Sequence, residues 1–224
     1  MEQGKSYTKV IDYIKDQIRA GELKIGEKLP SERELSSILG VSRNSVREAI
    51  RTLDFMGIIS SQHGAGNYLT GNFENNLVES LSMLFLLDQI SYKEISQLRL
   101  GLETQALLLA IDEATEEELK EIERISLELE HGAEEDNVIL DKKLHYNIAK
   151  ASRNKLIFDI LQALSETMDR FIADLRKEIF SSEESRDELI KAHNDIVKSL
   201  INRDKVLAYQ AINKHFELVN EKLK

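Results

Sequence analysis

The chain has 224 residues, 42% hydrophobic and 31% charged, which excludes a disordered or fibrous polypeptide and leaves room for two domains. With no cysteine and a single proline, Pro30, it excludes disulfides, thiolate metal sites and cysteine nucleophiles, and it favours long helices over sheets. The net charge of −10 argues against a polyanionic partner, but residues 1–70 hold ten Lys or Arg against nine Asp or Glu (+1), so the remaining −11 lies in residues 71–224.

The start MEQGKSYTKV lacks an apolar signal core, and the most apolar run, Leu81 to Leu87, is too short to span a bilayer; a cytoplasmic chain with no membrane partner is expected. Residues 6–20 place Val10, Ile11, Ile14 and Ile18 at helical spacing, and Gly21 follows as a stop. A loop over 24–30 leads to Ser31 and Glu34, a capping box that opens a short helix ending at Gly40. Ser42 caps a third helix with the apolar stripe Val46, Ala49, Ile50 and Leu53. Two β-prone stretches, 58–61 and 67–70, flank His63-Gly64-Ala65-Gly66 and read as a hairpin wing.

From Phe73 onward the pattern is helical. Helices are expected at about 73–88, 92–112, 116–131, 137–151, 154–180, 183–201 and 205–222, entered through Ser91 with Glu94, Thr115 with Glu118, and Ser181 or Ser182. The predicted fold is mainly α: a winged helix-turn-helix over 1–70, a linker at Thr70-Gly71-Asn72, and an all-α antiparallel bundle over 71–224.

A helix in the major groove needs small polar and guanidinium side chains near its N-terminus, and Ser42, Arg43, Asn44, Ser45 and Arg47 supply them. Arg43, Arg47 and Arg51 recur every four residues, opposite the apolar stripe. Arg33 is placed to clamp a phosphate, and Gly64 and Gly66 let the wing backbone approach the minor groove. The alternative is a merely solvated basic face.

In the second half, Asp141 and His145 share a helix face with Val138, Leu144, Ile148 and Ala149. His193 lies in the stripe Leu189, Ile190, Ile196, Val197 and Leu200, and His215 lies with Ala208, Ala211, Ile212 and Val219. A carboxylate buried without compensation costs several kcal/mol, on the order of what a cation would return. One carboxylate and three imidazoles suit divalent Zn, Ni, Mn or Fe, zinc first, with positions left for water or a ligand oxygen. Each histidine alone reads more simply as a hydrogen-bonded core residue; the four groups together favour the metal. A metalloenzyme is the rival from another class, weakened because no spare buried Glu or His stands out beside the ligands as a base and because residues 8–70 would go unexplained. A DNA-binding architectural protein whose bundle only dimerises is the third reading.

The run LPSERELSSILGVSRNSVREAIRTLDFMGIISSQHGAGNYL resembles the DNA-binding region of GntR-family regulators, over about residues 8–70. The resemblance implies that Arg33, Ser42, Arg43, Asn44, Ser45, Arg47 and the wing tip at His63 and Gly64 contact double-stranded operator DNA, and that a homodimer binds a short palindrome. Residues 75–222 are similar to the FCD effector domain of the FadR-type subgroup, through Arg99 with Leu102-Glu103, Asp141-Lys142-Lys143-Leu144-His145, Asn154, His193 and His215. In its metal-binding members the residues matching Asp141, His145, His193 and His215 ligate a divalent ion, which argues against a fatty acyl effector. Arg99, beside Ile95, Leu98 and Leu102, then takes either a small carboxylate effector or an internal acid such as Glu103. The function implied is a transcriptional regulator, expected to be a repressor, that a hydroxy acid, sugar acid or di- or tricarboxylate releases from DNA; the resemblance implies no enzyme.

Overall fold

A computed structural model describes residues 2–62, 64–71, 74–131, 134–167 and 183–221. His63, Asn72, the end of the helix expected over 154–180, and the caps expected at Ser181 or Ser182 lie outside the described residues. The chain separates into two compact units, Met1–Glu79 and Ser80–Lys224.

The first unit is built of α1 (Glu2–Arg19), α2 (Glu32–Leu39), α3 (Arg43–Phe55) and the antiparallel strands β1 (Ile59–Gln62) and β2 (Gly66–Leu69). The α2 cap is the reciprocal box the sequence predicts: Glu34 N–H donates to Ser31 Oγ, and Ser31 N–H donates to the Glu34 carboxylate at 2.8 Å. Gly40 closes α2 with φ of 62°, a left-handed conformation that glycine adopts without steric cost. Ser42 then caps α3 by accepting the Ser45 N–H at 3.1 Å. Val10, Ile14, Leu35, Val46, Ile50 and Leu53 close over Ile59 and Leu69 as one core. Ile18 departs from its expected stripe and is 39% exposed, since the core ends about a turn before α1 does.

The hairpin pairs Ile59 with Leu69 and Gln62 with Gly66. The segment read as a plain loop over 24–30 runs along β2: Gly26 N–H donates to Leu69 O at 2.7 Å, Leu69 N–H to Glu27 O at 2.9 Å, and Leu29 N–H to Asn67 O at 2.8 Å. Spacing did not reveal this pairing because the segment alternates weakly and carries two glycine or proline breaks. It brings Lys28 against Gly66, whose φ is +113° and where an added Cβ would sit 2.6 Å from Lys28 Cε. Gly66→Ala is therefore expected to destabilise the wing by about 1–3 kcal/mol. Hydrogen exchange at the Leu69 amide checks this, and should accelerate roughly 5- to 150-fold by the same free energy.

The second unit contains α4 (Glu74–Leu87, which begins in the first), α5 (Tyr92–Glu113), α6 (Glu116–His131), α7 (Glu134–Ala151), α8 (Lys155–Thr167), α9 (Glu183–Ile201) and α10 (Lys205–Glu221). Capping boxes open α5 through Ser91 and Glu94 and α6 through Thr115 and Glu118. Arg203, in the α9–α10 turn, donates to the carbonyls of Ile111 and Ala114 and so occupies acceptors that the C-terminus of α5 leaves open. Leu107, Ile122, Ile125, Leu144, Ile196, Leu200 and Phe216 fill a core shared by α5, α6, α7, α9 and α10. No helix among the described residues is long and apolar enough to cross a membrane.

Candidate functional site

Helix α3 presents Arg43, Asn44, Arg47 and Arg51 to solvent, with Ser42 exposed at its cap and Arg33 exposed early on α2. Arg47 rests 3.4 Å from Glu32, and Asn44 donates to Glu48 at 3.3 Å. Both contacts lie on exposed side chains and are worth about 0–1 kcal/mol, so they yield readily to a phosphate or a base edge. Gly64 is exposed at the hairpin turn with φ of +75°. Ser45 departs from the outward set: it is 3% exposed, with its Oγ 2.9 Å from Ser42 Oγ, and it buttresses the cap instead of facing a groove. Ser45 lies one turn before Ala49, so the helical phase that buries Ala49 turns this serine inward as well.

Within the bundle, α7 sets Asp141 and His145 one turn apart, and α9 and α10 bring His193 and His215 to them from the facing side. Asp141, His193 and His215 are 8%, 1% and 4% exposed. Donor atoms of the three histidines lie within 4.8 Å of one another. His145 Nε2 is 3.4 Å from His193 Nε2, and Asp141 Oδ1 is 2.9 Å from His193 Nε2 and 3.6 Å from His145 Nε2. Donors bound to one ion at roughly 2.1 Å lie about 3.0–3.4 Å apart at octahedral to tetrahedral angles, a spacing that the His145–His193 and Asp141–His193 pairs approach, and imidazole and carboxylate are donors that a divalent cation accepts.

Arg99 on α5 has an anion within its own helix. Its Nε and Nη2 both meet Glu103 Oε1, at 2.9 and 2.8 Å, and its guanidinium lies 5.8 Å from the centre of the Phe216 ring. Of the two partners the sequence allows Arg99, the internal acid is thus in place. The other oxygen of Glu103, Oε2, lies 2.6 Å from His145 Nδ1; the angle is not that of a well-aligned hydrogen bond, and the approach is an ion-pair contact. Burial by itself pushes the Glu103 carboxyl up, but the charges of Arg99 and His145 outweigh it and hold the group at about 2.

The sequence offers no spare buried Glu or His beside the ligands as a base; the acid that the structure brings there, Glu103, is the one paired with Arg99. Glu103 is 5% exposed and touches His145. Its other oxygen is held by Arg99. Of the remaining motif residues, Asn154 is a cap, its Oδ1 accepting the Ile157 N–H at 3.2 Å.

Arg99, Glu103, Asp141 and His145 line a pocket together with Tyr146, Phe158 and Leu161. Its lining mixes charged groups with apolar and aromatic ones, a chemistry suited to a small anion with a short carbon body.

Comparison with known proteins gives two family matches: "Bacterial regulatory proteins, gntR family" over residues 6–69 and "FCD domain" over residues 94–218. The HTH-type transcriptional regulator LutR of Bacillus subtilis (strain 168) is 30% identical, the match covering 92% of this chain and 95% of LutR. A provisionally named L-lactate dehydrogenase operon regulatory protein of Escherichia coli (strain K12) is 28% identical, over 95% of this chain and 86% of its own length. Among solved structures, the GntR of Streptococcus agalactiae superposes with a TM-score of 0.66 at 24% identity, covering 96% of this chain and 99% of that one, a likeness of fold.

Proposed function

The chain belongs to the gntR family of bacterial regulatory proteins, in the branch with an FCD domain, and on that premise we propose that it is a cytoplasmic, homodimeric repressor that a small carboxylate bound at a divalent metal releases from its operator. DNA-binding transcriptional regulation follows from the family; the sign, the metal and the effector are our reading. The observation that carries it is the convergence of Asp141, His145, His193 and His215 beside a cavity that Arg99 also lines. Those four side chains would hold the ion, with zinc the first candidate and Ni, Mn or Fe the others. When bound, the ion supplies a Lewis-acidic anchor for ligand oxygens.

Arg99 keeps N–H donors beyond the two that it gives to Glu103, and these can orient a carboxylate in the cavity. Tyr146, Phe158 and Leu161 exclude water from the ligand's carbon face. We rank 2-hydroxy acids ahead of sugar acids and di- or tricarboxylates, since adjacent hydroxyl and carboxylate oxygens chelate one ion together; a relative named for an L-lactate dehydrogenase operon supports that order. On the DNA side, Arg33, Ser42, Arg43, Asn44, Arg47, the Gly64 turn and His63 of the wing read the operator, and Ser45 holds the cap that orients them. We take residues 1–70 as the reading head and 71–224 as the effector domain. In a dimer, half-sites one turn of DNA apart, about 34 Å, leave little tolerance when effector binding repositions the heads.

The test is a thermal-shift series on zinc-loaded full chain with L-lactate, gluconate and citrate. At least one should raise the midpoint by mass action, and the rise should vanish after the metal is stripped. No rise with any carboxylate, or an equal rise in stripped protein, would overturn the metal-anchored effector.

A further inference from the structure

We propose that Glu103 positions His145 for the ion: Arg99 anchors one oxygen of the Glu103 carboxylate, and the other fixes which ring nitrogen of His145 carries the proton. The inference rests on the reading above that the histidine cluster holds a divalent cation. It assigns a role to a buried acid that is not among the proposed ligands of the ion.

The geometry divides the work between the two oxygens. Oε1 is taken by Arg99 through Nε and Nη2, one turn away on α5, so the carboxylate cannot swing. Oε2 is thereby directed across the helix interface to His145 Nδ1 at 2.6 Å. Each ring nitrogen of His145 then has a distinct neighbour: Nδ1 faces an anion, and Nε2 faces His193 Nε2 at 3.4 Å and Asp141 Oδ1 at 3.6 Å. An imidazole can ligate a cation only through a nitrogen that bears a lone pair. A proton on Nδ1, drawn toward Oε2, leaves that lone pair on Nε2, inside the donor set. Without the carboxylate, the ring is free to carry its proton on Nε2, the tautomer common in unconstrained histidine, and would then aim a hydrogen at the other ligands. A carboxylate behind a ligating histidine also raises the basicity of the ring.

The other buried polar groups do not offer the same choice. Asp159 is neutralised by Lys155 at 2.8 Å within its own helix, and Ser126 is tied to Asn194 at 2.8 Å; neither reaches the cluster. Glu103 alone among the described buried acids joins an anion-binding arginine to a candidate ligand.

The experiment uses full-length chain and Co²⁺ alone as the probe, comparing wild type with Glu103→Gln. In metal-free protein with ¹⁵N-labelled histidine, His145 should be protonated on Nδ1 in wild type and a mixture of tautomers in the variant. Co²⁺ affinity, followed by its visible absorption, should fall 10- to 100-fold. Since Glu103→Gln leaves Arg99 buried with a lone charge, the Arg99→Gln/Glu103→Gln double variant carries the same test in a neutral site if the single variant fails to fold. Wild type that binds Co²⁺ while the variant binds equally, with an unchanged tautomer, would overturn this inference and leave the metal reading standing. Wild type that binds no Co²⁺ would sink both.

Discussion

Replacing Arg43 and Arg47 together by Ala should abolish operator recognition while leaving the fold and metal content intact. Each arginine contact to a base edge or phosphate is worth about 1–3 kcal/mol. The proposed homodimer would lose each twice, so even the low end of that range costs two arginines about 4 kcal/mol, near a thousandfold in affinity. Fluorescence anisotropy on DNA selected by the wild-type chain from a random pool measures this. Unchanged binding would mean that α3 is a solvated basic helix and that recognition lies elsewhere. Both side chains are exposed and remote from the buried stripe Val46, Ile50 and Leu53, so the substitution does not remove core packing.

The second large effect is expected at Asp141. Among the described residues it is the carboxylate within 4 Å of two of the three clustered histidines. Asp141→Ala removes the negative charge that offsets a divalent ion in a buried site and leaves three neutral imidazoles. Zinc retention after dialysis should be lost. The stabilisation that bound zinc confers, about 4 kcal/mol when free zinc exceeds its Kd a thousandfold, should disappear with it. Thermal unfolding of wild type and Asp141→Ala with and without zinc measures this; a zinc-dependent rise that survives in Asp141→Ala would remove Asp141 from the site.

Much of this was legible in the sequence because helices report themselves locally. Capping boxes at Ser31, Ser91 and Thr115 mark true helix starts, and the stripe Val46, Ala49, Ile50 and Leu53 is buried as its spacing requires. The i,i+4 spacing of Asp141 and His145 put them on one face without any tertiary information. Contacts between elements were not legible. Nothing in the spacing of Lys24 to Pro30 shows that it lines β2, because strand pairing depends on which backbone comes alongside. The Arg99–Glu103 pair is local and was one of two alternatives; the reach of Glu103 to His145 crosses from α5 to α7 and depends on a register that no periodicity encodes. Ser45 illustrates a different limit: a serine among exposed polar neighbours reads as one of them, whereas its place one turn before Ala49 puts it on the buried face.

Crystals of the zinc-loaded chain, measured above and below the zinc absorption edge, test the central claim most directly. The account predicts a single anomalous peak within bonding distance, about 2.0–2.2 Å, of Asp141, His145, His193 and His215. A zinc-replete protein with no peak among those four side chains, or with its ion bound at another place, would contradict it.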